Sequence, residues 1–241
     1  MNKVSKMQRY FAVNKDLKLS SQDIFHISKV MRMKINDIIE IVYDKKVYIC
    51  KLTDISKDEV NYEILEEKIE NNELETKITI AFSLVNETKI DFILQKCTEL
   101  GAYDFIPLNL ERCKVKIDKK EDKKISRWNL ITKEASEQSY RNICPKVHNI
   151  MSIKDIVKLD YDLKIFCSTK EKEKTIKNVL QNNLNCDRII IVVGPEGGIS
   201  KKEEDFLISN NFKGITFGNT ILRTETAPIF AVSAIKYELM R

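Results

Sequence analysis

Three of the six glycines in this 241-residue chain fall in one run, Gly194-Pro195-Glu196-Gly197-Gly198. The apolar stretch Ile189–Val193 leads into it, and Ser200 with Glu203 comes next at the spacing of a helix capping box. Glycines there remove side chains where a flat ligand such as adenosine could approach the backbone. A tight strand-to-helix turn with no ligand is the plainer alternative. A second run, Phe217-Gly218-Asn219-Thr220-Ile221-Leu222-Arg223-Thr224-Glu225-Thr226-Ala227-Pro228, also joins a short apolar stretch to a helix. Thr226 suits its N-cap, and Pro228 is tolerated in its first turn. Arg223, Thr224 and Glu225 set a fixed positive charge, a hydroxyl and a carboxylate side by side. Both loops are expected beyond the carboxyl ends of strands, where open α/β sheets bind ligands, so the two predict one shared pocket. No Gly-Lys-Ser/Thr comes after the first run and no G-x-G-x-x-G occurs, which excludes the common phosphate-binding and dinucleotide-binding loops.

The elements that must carry these loops alternate between strand and helix from residue 78 onward. Ile78–Val85, Phe105–Leu108, Leu163–Cys167, Ile189–Val193 and Gly214–Phe217 are strand-like runs. Ile90, Ile93, Leu94, Cys97 and Leu100 keep helical spacing up to a stop at Gly101. Further helices are expected in Asp118–Tyr140, Lys172–Leu184, Lys202–Ser209 and about Pro228–Met240. This alternation predicts an α/β domain over residues 78–241, a parallel sheet with helices on both faces. Residues 1–70 read instead as a small β-barrel. Asp37–Val42 and Val47–Leu52 form a hairpin around Tyr43–Lys46, and Val60–Leu65 is a further strand. Ser20–Met33 has helical spacing, with Ile24, Ile27, Val30 and Met31 on one face. The polar stretch 71–77 is the expected linker.

Net charge is only +5, yet it is uneven. Residues 1–34 hold eight Lys/Arg against two Asp, residues 35–70 five Lys against ten acids, and Arg112–Arg127 eight Lys/Arg against three acids. Local basic patches on a near-neutral chain fit either an RNA surface or a solvated lysine-rich face. The six cysteines lie far apart without CxxC spacing and only His26 and His148 could join them, so no metal site and no disulfide framework is expected. No stretch reaches the roughly 18–20 apolar residues of a membrane span, and no signal peptide is legible at the start. A cytoplasmic protein without membrane attachment is expected.

The two loops, Gly-Pro-Glu-Gly-Gly and Ile-Leu-Arg-Thr-Glu-Thr-Ala, resemble the signature of the ribosomal RNA small subunit methyltransferase E family. The resemblance covers nearly the whole chain. Arg9-Tyr10-Phe11 is similar to the family's opening and His26–Arg32 to its His-Leu-x-Lys-Val-Leu-Arg element. Gln95–Gly101 and Glu134–Arg141 (Glu-Ala-Ser-Glu-Gln-Ser-Tyr-Arg) resemble its central motifs. Three departures occur: Asn36-Asp37 replaces a Gly-Asp, Ile199 stands where Phe is common, and Asn219-Thr220 replaces a bulkier or basic pair. Asn at position 36 can keep the left-handed turn.

The resemblance implies a SPOUT-type trefoil-knotted sheet behind a PUA- or OB-like N-terminal barrel. It also implies a homodimer that methylates N3 of a uridine near the 3′ end of 16S rRNA, as free RNA or in the assembled small ribosomal subunit, with S-adenosylmethionine. Ser168, Val193, Gly194, Glu196, Gly197, Gly198, Gly218, Ile221, Leu222, Thr224 and Ala227 would hold that cofactor. Arg223 would stabilise the uridine anion, whose charge spreads onto O2 and O4. The proton acceptor stays open between Glu225 and Glu196. Arg9, Lys29, Arg32 and Arg141 are the expected RNA phosphate contacts. Methylation of another RNA site and a non-catalytic RNA-binding assembly factor are the competing readings.

Overall fold

The computed structural model describes residues 7–115, 121–183 and 185–239. The middle of the basic run Arg112–Arg127, the start of the polar helical stretch, Leu184 and Met240 therefore lie outside the described residues. The chain divides into two compact units. The first takes the residues up to Glu73 together with Ser136–Cys144, and the second takes Leu74–Ala135 and the residues from Pro145 onward. The N-terminal unit is thus not closed at residue 70. Asn72 and Glu73, expected in a linker, are tied to Asn142 and Arg141 inside the first unit.

In the first unit a four-stranded sheet runs β1 (Gln8–Phe11), β2 (Ile38–Tyr43), β3 (Lys46–Ile55) and β4 (Val60–Lys68), with β1 parallel to β2 and the rest antiparallel. No ladder joins β1 to β4 among the described residues. Asp44 and Lys45 both take positive φ, the backbone that matches strand twist in a two-residue hairpin. Asn36 also holds a left-handed φ of 75°, as its residue type allows. The expected helix over Ser20–Met33 is shorter and changes type along its length. α1 (Ser21–Phe25) starts at a Ser20–Asp23 capping box and passes into one π turn, His26–Val30, closed by Met31 N–H to His26 O. The extra residue in that turn shifts the helical register beyond it. Ile27 stays in the core, but Val30 and Met31 reach solvent instead of sharing its face.

The second unit holds one all-parallel sheet in the order β11-β9-β10-β5-β6-β7, with β8 also on β6. Its strands are β5 (Lys77–Ser83), β6 (Asp104–Asn109), β7 (Lys146–Val147), β8 (Met151–Ser152), β9 (Leu163–Cys167), β10 (Arg188–Val193) and β11 (Lys213–Ile215). Its helices are α2 (Glu87–Leu100), α3 (Glu121–Gln138), α4 (Ile153–Ile156), α5 (Ile176–Gln181), α6 (Lys201–Ser209) and α7 (Thr226–Leu239), α3 carrying its last turn into the first unit. Successive strand residues point to opposite faces, and both faces are buried. Ile78, Ile80, Phe82, Ile189, Ile191 and Val193 pack with α2, α5 and α7. Ala81, Ile190 and Val192 pack with Ile156 of α4 and with Leu207 and Phe212 at α6. β7, β8 and α4 are too short to leave a periodic signature in the sequence.

Candidate functional site

Because the strands are parallel, the loops after β5, β9, β10 and β11 all leave from the same sheet edge. A cavity of about 390 Å³ opens there, within the size range of small-molecule sites. Its walls come from Cys167–Thr169, Glu171 and Lys172 after β9, from Ile215–Leu222 after β11, and from Ala227 in α7. Of the residues expected to bind a cofactor, Ser168, Gly218, Ile221, Leu222 and Ala227 line it. Val193, Gly194, Glu196, Gly197, Gly198 and Thr224 do not. Strand order explains the difference. β9 lies between β11 and β10, so its loop stands between the two glycine-bearing loops that the sequence predicts as one pocket. Thr169, Lys172 and Thr216 are lining residues that sequence reasoning missed, since nothing in a primary sequence orders the strands.

Gly218 has a φ of +105°, and a Cβ built there would meet nothing within 4 Å. It is a bare backbone ledge beside open space. Thr216 shapes it: its Oγ1 accepts from Gly218 N–H at 3.3 Å and donates to Gly218 O at 3.2 Å. Across the cavity, Ser168 Oγ donates to Glu204 at 3.2 Å and accepts from the N–H groups of Lys170 and Glu171. Glu204 is buried and also takes the Lys170 ammonium at 2.8 Å. The Ser168 hydroxyl is therefore occupied in holding its loop rather than offered to a ligand. The Glu171 carboxylate accepts the backbone N–H groups of Glu173, Lys174 and Lys172, which keeps it ionised below the usual carboxylate range. The Cys167 thiol is pushed up to about 12 by burial and has no nucleophilic character at neutral pH.

The glycine-rich loop folds tightly on itself. A Cβ on Gly194 would lie 2.8 Å from Ile199 Cγ1 and 3.0 Å from Ile199 N, so only glycine admits the loop's own return there. Gly197 O accepts from Arg112 Nη1 at 2.7 Å. Gly198, at φ +69°, faces Thr169 and brings the loop to the cavity rim. Ser200 caps α6 with Glu203, as its spacing predicts. Beside this loop, Lys89 Nζ stands 2.7 Å from Glu196 Oε1 and 3.4 Å from Glu225 Oε2. The Lys89 hydrogen bond holds the Glu196 carboxyl below its usual range. Thr224 is buried, whereas Arg223 is exposed and has no side-chain hydrogen bond or ion pair to another described residue. Lys89 was not legible as a site residue. It sits far from both loops in sequence and looks like one more surface lysine.

Residues 72–236 match the family model of an RNA methyltransferase domain, and residues 19–65 match that of an RNA methyltransferase PUA domain. Ribosomal RNA small subunit methyltransferase E of Bacillus subtilis (strain 168) is 39% identical over 253 residues, covering 98% of this chain and 99% of the relative. This chain belongs to the ribosomal RNA small subunit methyltransferase E family. The relative of that name from Mesomycoplasma hyopneumoniae is 30% identical over 94% of this chain and 98% of its own. A solved member of the methyltransferase E family, from Neisseria gonorrhoeae with S-adenosyl methionine bound, superposes with a TM-score of 0.86 at 31% identity, covering 96% of this chain and 97% of its own. A Legionella pneumophila structure with the same cofactor gives a TM-score of 0.90 at 27% identity, covering 96% and 98%.

Two of the four arginines and lysines expected to contact RNA in this family member are corrected by the structure. Arg9 is 3% exposed; its guanidinium donates to Glu40 at 2.7 Å, to Glu70, and to the carbonyls of Tyr140 and Arg141. Arg141 is likewise buried and makes a forked ion pair with Glu73. Glu73 also accepts from Asn142 N and Ile143 N. Both guanidinium groups are consumed inside the first unit, and neither faces a phosphate. The Glu134–Arg141 motif thus has a structural duty, with Glu137 accepting from Phe11 N. Lys29 and Arg32 are exposed on the π turn and at its end. His26 is half-buried against Tyr10, whose hydroxyl lies 3.0 Å from Nδ1.

Proposed function

We propose that this chain is a cytoplasmic homodimeric enzyme that methylates N3 of a uridine near the 3′ end of 16S rRNA, using S-adenosylmethionine. The observation that carries the reading is the Gly218 ledge, a positive-φ glycine whose missing side chain opens onto a 390 Å³ cavity at the carboxyl edge of the sheet. That cradle fits the cofactor. Backbone groups of Gly218, Ile221 and Leu222 would hold it, with Ala227 and the Ser168–Thr169 turn closing the sides. When bound, S-adenosylmethionine supplies an electrophilic methyl group. Arg223, free of protein partners among the described residues, would carry the charge that develops on the uracil carbonyls. Lys29 and Arg32 would meet RNA phosphates.

A trefoil-knotted path is supported by the chain order around the cavity. β11 adds outside β9, Thr216 bridges to Thr175, and α7 then packs back onto β10 and β5. A second copy of the chain is supported by apolar side chains left in solvent on the second unit. Phe92 on α2, Phe230 and Tyr237 on α7, and Ile221 are all exposed, and Phe230 stacks edge-on against Phe217 at 5.1 Å. Mapping N3-methyluridine in 16S rRNA from cells with and without the gene tests the substrate. Unchanged modification without the gene refutes it. Single-turnover methylation by Arg223→Ala tests the electrostatic role; a wild-type chemical rate with intact cofactor binding rejects that role.

A further inference from the structure

Lys89 breaks a local rule. It lies in the first turn of α2, its N–H capped by Asn86 Oδ1 at 3.0 Å, where a cation opposes the helix dipole. Its place answers to something other than helix stability. The ammonium is held by Glu196 at 2.7 Å and approaches Glu225 Oε2 at 3.4 Å. Apart from that ion pair, Glu225 Oε2 is buried without a hydrogen-bond partner among the described residues. A lysine has three N–H donors, and Glu196 takes one. The cluster therefore sets a carboxylate whose side chain is 15% exposed beside a cation with a donor to spare. It sits at the same sheet edge as the cavity, two residues along the chain from the exposed Arg223.

We infer that Lys89 and Glu225 form a nucleobase-recognition pair for uracil, the Glu225 carboxylate accepting the N3–H and Lys89 donating to a flanking carbonyl. The imide edge of uracil presents acceptor, donor, acceptor, which an ammonium beside a carboxylate complements. Cytosine offers a bare lone pair at N3, which a carboxylate repels. Glu196 is then a positioning residue that fixes the ammonium. The N3 proton passes to Glu225 first, and the pair left on N3 then forms the N3–methyl bond while the electrons of the broken methyl–sulfur bond remain on sulfur. The inference rests on uridine N3 being the methylated atom.

The test uses the full chain and 16S rRNA transcripts carrying uridine or cytidine at the modified position, with equilibrium RNA affinity and single-turnover methylation both measured. Wild type is expected to favour uridine by about 100-fold or more, as sites that hydrogen-bond a substrate N–H do. Lys89→Met is expected to lose about 10- to 100-fold on uridine while calorimetric affinity for S-adenosylmethionine is kept, and Lys89→Arg to recover part of that loss. Glu225→Gln places an amide that can donate to cytosine N3, so the uridine preference should narrow by about tenfold or more. If both Lys89→Met and Glu225→Gln keep the wild-type uridine-to-cytidine ratio, the pair does not read the base. Should Lys89→Met not fold, Lys89→Arg and the isosteric Glu225→Gln decide the matter by the same ratio. A wild-type protein that methylates no uridine in this RNA overturns the uridine reading and the pair together, which distinguishes that failure from the first.

Discussion

Replacing Arg9 by Met separates a structural arginine from an RNA contact. The Arg9 and Glu40 side chains are 1% and 6% exposed, so the variant strands a buried carboxylate. Glu70 is 35% exposed and can turn to water, which leaves Glu40 to carry most of the cost. Breaking a buried pair from one side costs about 3–5 kcal/mol, a large part of the roughly 5–15 kcal/mol that stabilises a domain. For a unit of about 80 residues the lower figure corresponds to a fall in Tm on the order of 12 °C. Urea and thermal unfolding followed by circular dichroism measure it. Adding Glu40→Leu to Arg9→Met should recover much of the loss, because an apolar pair of similar volume needs no desolvated charge. RNA affinity of folded Arg9→Met should keep its wild-type salt slope. The opposite pattern refutes the reasoning: stability within about 1 kcal/mol of wild type, with the slope reduced by about one, would make Arg9 a phosphate contact.

Three further outcomes concern the second unit. Gly218→Ala forces an L side chain to φ +105° at a cost of roughly 1–2 kcal/mol and pushes a methyl into the cavity; calorimetry should show cofactor affinity down by about tenfold or more, and undiminished binding would remove the ledge from the site. Carbon-detected NMR should find Glu196 titrating below the normal carboxylate range in wild type and moving up toward it in Lys89→Met. Because the folded value is lowered, the pair's stabilisation is complete above the unfolded carboxylate range and is lost as pH falls through the folded value. The stability gap between wild type and Lys89→Met should therefore shrink on acidification, and also in high salt. With its thiol pushed up to about 12, half-buried Cys167 should react with iodoacetamide at pH 8 more slowly in the native protein than once unfolded; equally fast native labelling would contradict the raised value.

Much of this protein was legible as pattern. Hydrophobic period and helix signals located β9 to the residue, α2 with its Gly101 stop, and α6 with its Ser200 cap, because each depends on neighbours a few residues away. The π turn at His26–Val30 escaped, since Val30 and Met31 fit a regular helical face until one backbone bond shifts register. Charge misled where burial decided. Arg9 and Arg141 carry the residue type of a phosphate contact, but Glu40, Glu70 and Glu73 neutralise them from elsewhere in the fold.

The loops Gly194–Ser200 and Phe217–Ala227 divide the same way. Sequence by itself determined that two glycine-bearing loops end parallel strands and enter helices, since turn chemistry and capping are local. Only the tertiary structure decided that β9 intervenes, so that the cavity joins Ser168 to Gly218 while Gly194 serves packing against Ile199. It alone brought Lys89 to Glu196 and Glu225, more than a hundred residues along the chain. Strand order and long-range ion pairs are set by how whole elements bury their apolar faces together, and no window of sequence contains that information.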